Sequence, residues 1–226
     1  DINFTNHTVL LTGGSRGIGR EIAKVFAENG AIVIAPTRGE MDLMNMKSIE
    51  DYFSANPNLK PDIFIHCAGI NELAGISEIS SELLDRVFHV NYYAPTIIMK
   101  HISQNMREQM WGRIVLVSSL YAIVSKAKRV AYSSAKNALT GLMKASALEL
   151  APYNVLINSV APGYVMTEMT KTNLSEQELT SILSNIPTGR LQSEREIAET
   201  IAFLCSDLNQ SITGQLLAVD GGFTCQ

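Results

Sequence analysis

The sequence is short of the residues that build metal centres and disulfide frameworks. Its three cysteines, Cys67, Cys205 and Cys225, are odd in number and far apart, which argues against a disulfide scaffold and against a zinc site. The four histidines, His7, His66, His89 and His101, show no ligand spacing, so no metal is expected. No basic block interrupts a chain of net charge −4. Phosphate-backbone binding needs clustered lysine and arginine, so a nucleic-acid partner is not expected. Apolar runs are short, as in Ala31–Ala35, which leaves no transmembrane helix and no membrane partner to expect. Asp1-Ile2-Asn3-Phe4 does not read as a signal peptide, and the expected setting is reducing and cytoplasmic.

What is present is a core-forming pattern. Of 226 residues, 46% are apolar and 18% are charged, enough to bury a substantial interior. Short β-type runs alternate with helical periodicity. The strands expected are Thr8–Thr12, Ala31–Ala35, Asp62–His66, Arg113–Ser118, Val155–Val160 and Leu216–Val219. The helices expected are Gly17–Asn29, Met46–Ser54, one capped by Ser80, a long one over Tyr92–Met110, Tyr132–Ala151 and Glu194–Ser206. Strands separated by helices pair in parallel through right-handed crossovers, and helices then cover both faces. With no linker and no repeat, residues 1–226 read as one α/β domain, a doubly wound parallel sheet of the Rossmann type. The longest irregular stretch, Gly163–Gln192, contains Asn173-Leu174-Ser175-Glu176-Gln177, which would cap a small helix.

Two groups of residues carry chemistry. Thr12-Gly13-Gly14-Ser15-Arg16-Gly17-Ile18-Gly19 joins the first strand to the first helix. Glycines there let the backbone approach a pyrophosphate resting on the helix N-terminus. The spacing is Gly-x-x-x-Gly-x-Gly, and an ordinary tight turn is the competing reading. Tyr132 and Lys136 stand four apart at a helix start, on one face. A phenol has a reference pKa of ~10; a nearby ammonium would lower it and make Tyr132 an acid-base group near neutral pH. Alone, the pair reads equally as a Tyr and a Lys on a helix surface. Ser119 ends a buried strand thirteen residues earlier, Asn91 follows a helix, and Asn158-Ser159-Val160-Ala161-Pro162-Gly163 ends another strand.

Gly13, Gly17 and Gly19, then Cys67-Ala68-Gly69, Asn91, Ser119, Tyr132, Lys136, Pro162-Gly163, Thr167 and Asp220-Gly221-Gly222 follow one another in a familiar order. Over Thr8 to Phe223 the chain resembles the short-chain dehydrogenase/reductases, single-domain branch, and most of all the 3-oxoacyl-[acyl-carrier-protein] reductases. The resemblance implies a nicotinamide-dependent oxidoreductase acting on a small-molecule or carrier-bound carbonyl. Tyr132 would be the general acid in reduction, Lys136 its partner and a ribose ligand, Ser119 the group polarising the carbonyl, and Asn91 the holder of a relay water. The turn with Gly13, Ser15, Arg16, Gly17, Ile18 and Gly19 would meet the cofactor, as would Cys67, Ala68, Gly69, Pro162, Gly163, Val165 and Thr167. Leu120, Tyr121, Tyr164 and Met169 would line the substrate site. Lys126, Lys128 and Arg129 form a small basic group, either a carrier-protein contact or a solvated loop. A homotetramer is implied through the two long helices, where Ile97, Ile98, Leu142 and Met143 would suit burial between subunits or equally in the core. An NAD(H)-dependent alcohol or sugar dehydrogenase, or an inactive nucleotide-binding regulator, is the alternative.

Departures from the family pattern fall on the cofactor side. His66-Cys67-Ala68-Gly69 replaces Asn-Asn-Ala-Gly, which puts in doubt the bracing by the second Asn. In NAD-preferring relatives an acid after the second strand binds the ribose hydroxyls; here the region reads Ala35-Pro36-Thr37-Arg38, with no acid before Glu40. Arg38, with Arg16, would pair with a 2′-phosphate, so NADP(H) is expected over NAD(H). Met41-Asp42-Leu43 follows so closely that a helix is missing. Asp42 and Leu43 would then border the adenine, and the sheet is expected to have six strands or a vestigial seventh at that edge.

Overall fold

The computed structural model describes residues 1–166 and 176–225. Six parallel strands form one sheet in the order β2-β1-β3-β4-β5-β6. They are β1 (Thr8–Thr12), β2 (Ile32–Ile34), β3 (Ile63–His66), β4 (Gly112–Val117), β5 (Val155–Pro162) and β6 (Leu216–Val219). β3, β4 and β5 are buried along their whole length, as continuous apolar runs require when both faces are covered. The helices are α1 (Gly17–Glu28), α2 (Met46–Ala55), α3 (Ser81–Phe88), α4 (Ala94–Glu108), α5 (Val130–Leu150), α6 (Glu176–Ser184) and α7 (Glu194–Cys205).

Two cores flank the sheet. On one face Ile22, Val25 and Phe26 of α1 and Ile197, Ile201 and Leu204 of α7 pack on Val9, Leu11, Ile63 and Ile65. On the other, Ile49 of α2, Ile98, Ile102 and Met106 of α4, and Leu139 and Met143 of α5 pack on Leu10, Phe64, Ile114 and Ile157. Each such side chain contributes about 1.5–3 kcal/mol by leaving water, so the helices are held by this burial more than by their own propensity. Ile98 and Met143 are fully buried, and Ile97 and Leu142 are half-buried against the same core. Of the two readings the sequence left open for these residues, Ile98 and Met143 belong to the core of this chain, and Ile97 and Leu142 pack against its edge.

Two expected elements differ. The helix assigned to Tyr92–Met110 is α4, preceded by a π-helical turn at His89–Tyr93 that joins it to α3. Pro95 has no amide to donate to the Asn91 carbonyl four residues back, and the widened turn absorbs that missing bond. No strand forms at Met41-Asp42-Leu43. Met41 is buried in the core, but the Asp42 amide donates to the Ser48 hydroxyl (3.0 Å) and the Asp42 carboxylate accepts from the Met44 amide (3.0 Å). These local bonds replace ladder pairing, and the sheet ends at β2.

Candidate active site

The carboxyl ends of the strands are brought level by their register. Thr12 lies beside His66, His66 beside Leu116, and Leu116 beside Ser159. The site is assembled along this edge.

At its β1 end the chain turns through Gly13 at a φ of 75°, a left-handed conformation suited to glycine. A side-chain carbon on Gly13 would lie 2.6 Å from the Ala68 amide nitrogen, and one on Gly19 would strike the Gly13 carbonyl. Turn, helix start and the β3 loop thus meet through backbone alone. Arg16, the residue capping α1, provides no side-chain hydrogen bond to the helix. The first amides of α1 are left without a side-chain cap beside a bare backbone cradle, the donor set that suits a pyrophosphate. The residues present therefore fit a dinucleotide.

The catalytic candidates stand at the β4–β5 end. Ser119 follows β4, and its hydroxyl accepts from the Tyr121 amide (3.2 Å), opening the 3-10 turn Leu120–Ala122. Tyr132 and Lys136 occupy the first turns of α5. Lys136 lies on the buried stripe with Ala131, Ala135, Leu139 and Met143, and its ammonium donates to the Val117 carbonyl (2.7 Å). The small Ala131 and Ala135 side chains pack on Val87 of α3, which suits a close approach of α3 to α5. Burial lowers the Lys136 ammonium to about 8, because a charge taken from water favours its neutral form.

Tyr132 differs from expectation. Burial pushes its phenol above the ordinary value, while the Ser119 hydroxyl and the Arg129 charge pull it back. The Lys136 ammonium is 5.6 Å from the ring centroid and committed to Val117. Burial is thus the leading influence on the phenol, and Arg129 is a cation that draws it back down.

Asn91 is fully buried in the π turn. Its amide donates to the carbonyls of Ile70 (2.9 Å) and Val87 (2.8 Å), while its side-chain oxygen has no partner among the described residues. A side-chain carbon on Gly69 would fall 2.9 Å from that oxygen and 3.5 Å from the Lys136 ammonium. Glycine at position 69 thus leaves open a small space that an acceptor and a donor both border.

Pro162 ends β5, and the Gly163 amide donates to the Val219 carbonyl (3.0 Å). Val165 bridges to Gln192. Tyr164 meets Tyr121 through their hydroxyls (3.4 Å) and lies edge-on to Phe223 (5.5 Å). Leu120 and Tyr121 are buried, and the Tyr121 ring stands edge-on to Tyr132 at 6.3 Å. Tyr121 thus lies between Tyr132 and Tyr164. Thr167 and Met169 lie outside the described residues, as does the expected cap of α6.

Sequence reasoning gave no role to Thr12. Its hydroxyl bonds the buried His66 ring at Nδ1 (2.8 Å) and accepts from the Ala68 amide (3.4 Å), so His66 braces the β1–β3 join through Thr12. The signal was there in His66-Cys67, where the family has two amides. Burial pushes the Cys67 thiol up to about 12, which makes it an inert packing group. At the far end, Arg38 is exposed and pairs with Asp42 at 3.5 Å. Ser15 lies in the turn before α1, Ile18 in its first turn, and Leu43 shortly before α2.

Comparison with known proteins gives matches along the chain. The model described as short chain dehydrogenase matches residues 7–56, and that described as Enoyl-(Acyl carrier protein) reductase matches residues 40–224. The chain is 35% identical to the 3-oxoacyl-[acyl-carrier-protein] reductase of Aquifex aeolicus, over 98% of this chain and 99% of the other. Among solved structures, a putative NAD(P)-dependent gluconate 5-dehydrogenase from Beutenbergia cavernae, with bound NADP at low occupancy, superposes with a TM-score of 0.93 at 28% identity, over 100% and 99% of the two chains. A 4-hydroxyisoleucine dehydrogenase complexed with NADH gives 0.92 at 29% identity, over 98% and 100%.

Proposed function

The chain belongs to the short-chain dehydrogenase/reductase family, oxidoreductases that act on CH–OH groups with a nicotinamide cofactor, and on that premise we propose that it reduces a ketone to a secondary alcohol with NADPH. The observation that carries this reading is the convergence of Ser119, Tyr132 and a buried Lys136 at the strand ends beside the Gly13 cradle.

The cofactor supplies the hydride; the protein supplies geometry and proton management. The phenol of Tyr132, kept protonated by burial, suits a proton donor to the carbonyl oxygen, the role required in reduction. The Ser119 hydroxyl, beside that phenol, donates to the same oxygen and polarises the carbonyl. Lys136 would hold the nicotinamide ribose, and the side-chain oxygen of Asn91 with the Lys136 ammonium would hold a water at the space beside Gly69, from which the proton on Tyr132 is replenished. Gly13, Ser15, Arg16, Gly17, Ile18 and Gly19 would cradle the pyrophosphate, Asp42, Leu43, Cys67, Ala68 and Gly69 would border the adenosine, and Pro162, Gly163, Val165 and Thr167 would border the nicotinamide. Arg38, with no acid at the end of β2, supports NADPH over NADH; NADH remains the second cofactor to test, since relatives are named with each.

The substrates named for relatives span 3-oxoacyl thioesters and hydroxy acids, and a 3-oxoacyl or related ketone is the class proposed. We take residues 1–226 as one domain, cytoplasmic and homotetrameric; light scattering that returns a monomer removes the tetramer. The test of function is a panel of ketones followed by nicotinamide absorbance with both cofactors. Tyr132→Phe should lose ~10²–10⁴ in turnover while still binding cofactor. Near-normal turnover by that variant would refute the mechanism.

A further inference from the structure

Arg129 is a fixed cation next to the reacting phenol. Lys128 before it is left-handed, with a φ of 67°, and its carbonyl accepts from the Ala74 amide (3.2 Å). Ala74 and Arg129 form an isolated parallel bridge, and the Arg129 carbonyl accepts from the Ser133 amide (2.8 Å) at the start of α5. The backbone is thus held from both sides. The guanidinium lies 5.3 Å from the centroid of the Tyr121 ring, the ring that faces Tyr132 at 6.3 Å and touches Tyr164 through its hydroxyl.

Arg86, Arg190 and Arg195 each close on a glutamate. Arg129 has no carboxylate partner among the described residues, although it is partly withdrawn from solvent. Its charge reaches the site, since it pulls down the proton affinity of both Tyr132 and Tyr164. Burial meanwhile pushes Tyr164 up to about 12, so at neutral pH that phenol is a hydrogen-bond donor. A guanidinium on the Tyr121 ring and two phenolic hydroxyls in mutual contact, with no acid paired to the guanidinium among the described residues, are a donor set suited to an anion.

Resting on the reading of the site as a carbonyl oxidoreductase, we propose that the substrate is itself a carboxylic acid, an oxo acid reduced to a hydroxy acid, whose carboxylate is bound by Arg129 with the hydroxyls of Tyr121 and Tyr164 while its ketone meets Ser119 and Tyr132. A neutral acyl thioester would leave the guanidinium unmatched. Lys126 and Lys128, which are exposed, lie on the outer side of the same turn and are not needed for this contact.

The test compares 3-oxobutanoate, 4-oxopentanoate and 5-oxohexanoate with their methyl esters, and with the N-acetylcysteamine thioester of 3-oxobutanoate. For at least one chain length the wild type should favour the acid over its ester in kcat/KM by about tenfold to a hundredfold, the scale of a charge-assisted contact. Arg129→Met should collapse that ratio towards unity, and Arg129→Lys should retain part of it. Calorimetric binding of the preferred acid should weaken in parallel in Arg129→Met. Esters or thioester reduced as well as the acids, or an acid preference that survives Arg129→Met, overturns the proposal and leaves the ketone-reductase reading standing. No turnover of any probe with either cofactor, while the acids still bind through Arg129, removes the reductase reading and keeps the anion site.

Discussion

At the β4–β5 end of the sheet, Lys136 and Asn91 are buried and Ser119 is half-buried, and each is hydrogen-bonded to backbone. Lys136 bonds Val117, Asn91 bonds Ile70 and Val87, and Ser119 is tied to the Tyr121 amide. At the β2 end the polar groups are exposed. Arg38 has four-fifths of its side chain in solvent and one ion pair, to Asp42, and Glu40 closes the turn by accepting from the amide (2.7 Å) and hydroxyl (2.8 Å) of Thr37. Both ends lie on one edge of one sheet. The first spends stability on buried charge to hold its geometry, whereas the second keeps its charges hydrated and has little geometry of its own. Function at the first end should therefore be sensitive to single atoms, and at the second to charge alone.

Lys136→Met tests the buried end most severely. Turnover should fall by ~10² or more, the scale of a lost acid-base partner. Stability of the cofactor-free protein should move the other way. The folded pKa of Lys136, about 8, is below that of the unfolded chain. Between pH 8 and the unfolded value of ~10.5 the unfolded state binds more protons, so wild-type stability rises with pH across that window and is lower below it. Methionine removes this dependence and should stabilise the protein at neutral pH by up to ~3 kcal/mol. Denaturant melts at pH 7 and pH 10 would show it, and a destabilised Met variant would mean that the bond to Val117 outweighs the burial of the charge.

His66→Asn tests the bracing between the two ends. Burial lowers His66 to about 3, so the ring is neutral in the folded protein. As pH falls from ~6.5 towards 3 the unfolded chain takes up a proton that the folded chain refuses, and stability is lost through that window. The loss attributable to His66 should be ~2 kcal/mol on going from pH 7 to pH 5. The Asn variant, restoring the family's residue, should show a flatter acid limb in urea midpoints. An unchanged limb would show that other groups govern acid unfolding.

The buried end was the legible one, for physical reasons. A Tyr and a Lys four apart at a helix start must share a face, and a serine ending an apolar strand must lie at the sheet edge, so Ser119, Tyr132 and Lys136 were placed by periodicity. What periodicity does not encode was missed. The π turn that seats Asn91 widens a helix without changing its apolar pattern, although Pro95 marked the place. Ile98 and Met143 read equally as subunit contacts or core because an apolar stripe does not name what it packs on; here it is the sheet. The upward direction of the Tyr132 shift was not legible because desolvation depends on burial in three dimensions. The sequence left Arg129 either a carrier-protein contact or part of a solvated loop; the Ala74 bridge and the Tyr121 ring are what place it.

The exposed end sets the smallest effect. Replacing Arg38 with Ala should shift the ratio of kcat/KM for NADPH over NADH by only about tenfold, the lower part of the range for a charge-assisted contact. The limit follows from the structure. Arg38 must leave Asp42 to meet a 2′-phosphate, and an exposed guanidinium is screened by salt. Asp42→Asn should therefore raise the NADPH preference by freeing Arg38, and both effects should shrink between low and high ionic strength, unlike the loss in Lys136→Met. If Arg38→Ala leaves the cofactor ratio unchanged, Arg16 at the α1 turn becomes the residue to replace next, because it is the other arginine at the cradle and provides no side-chain cap to its own helix.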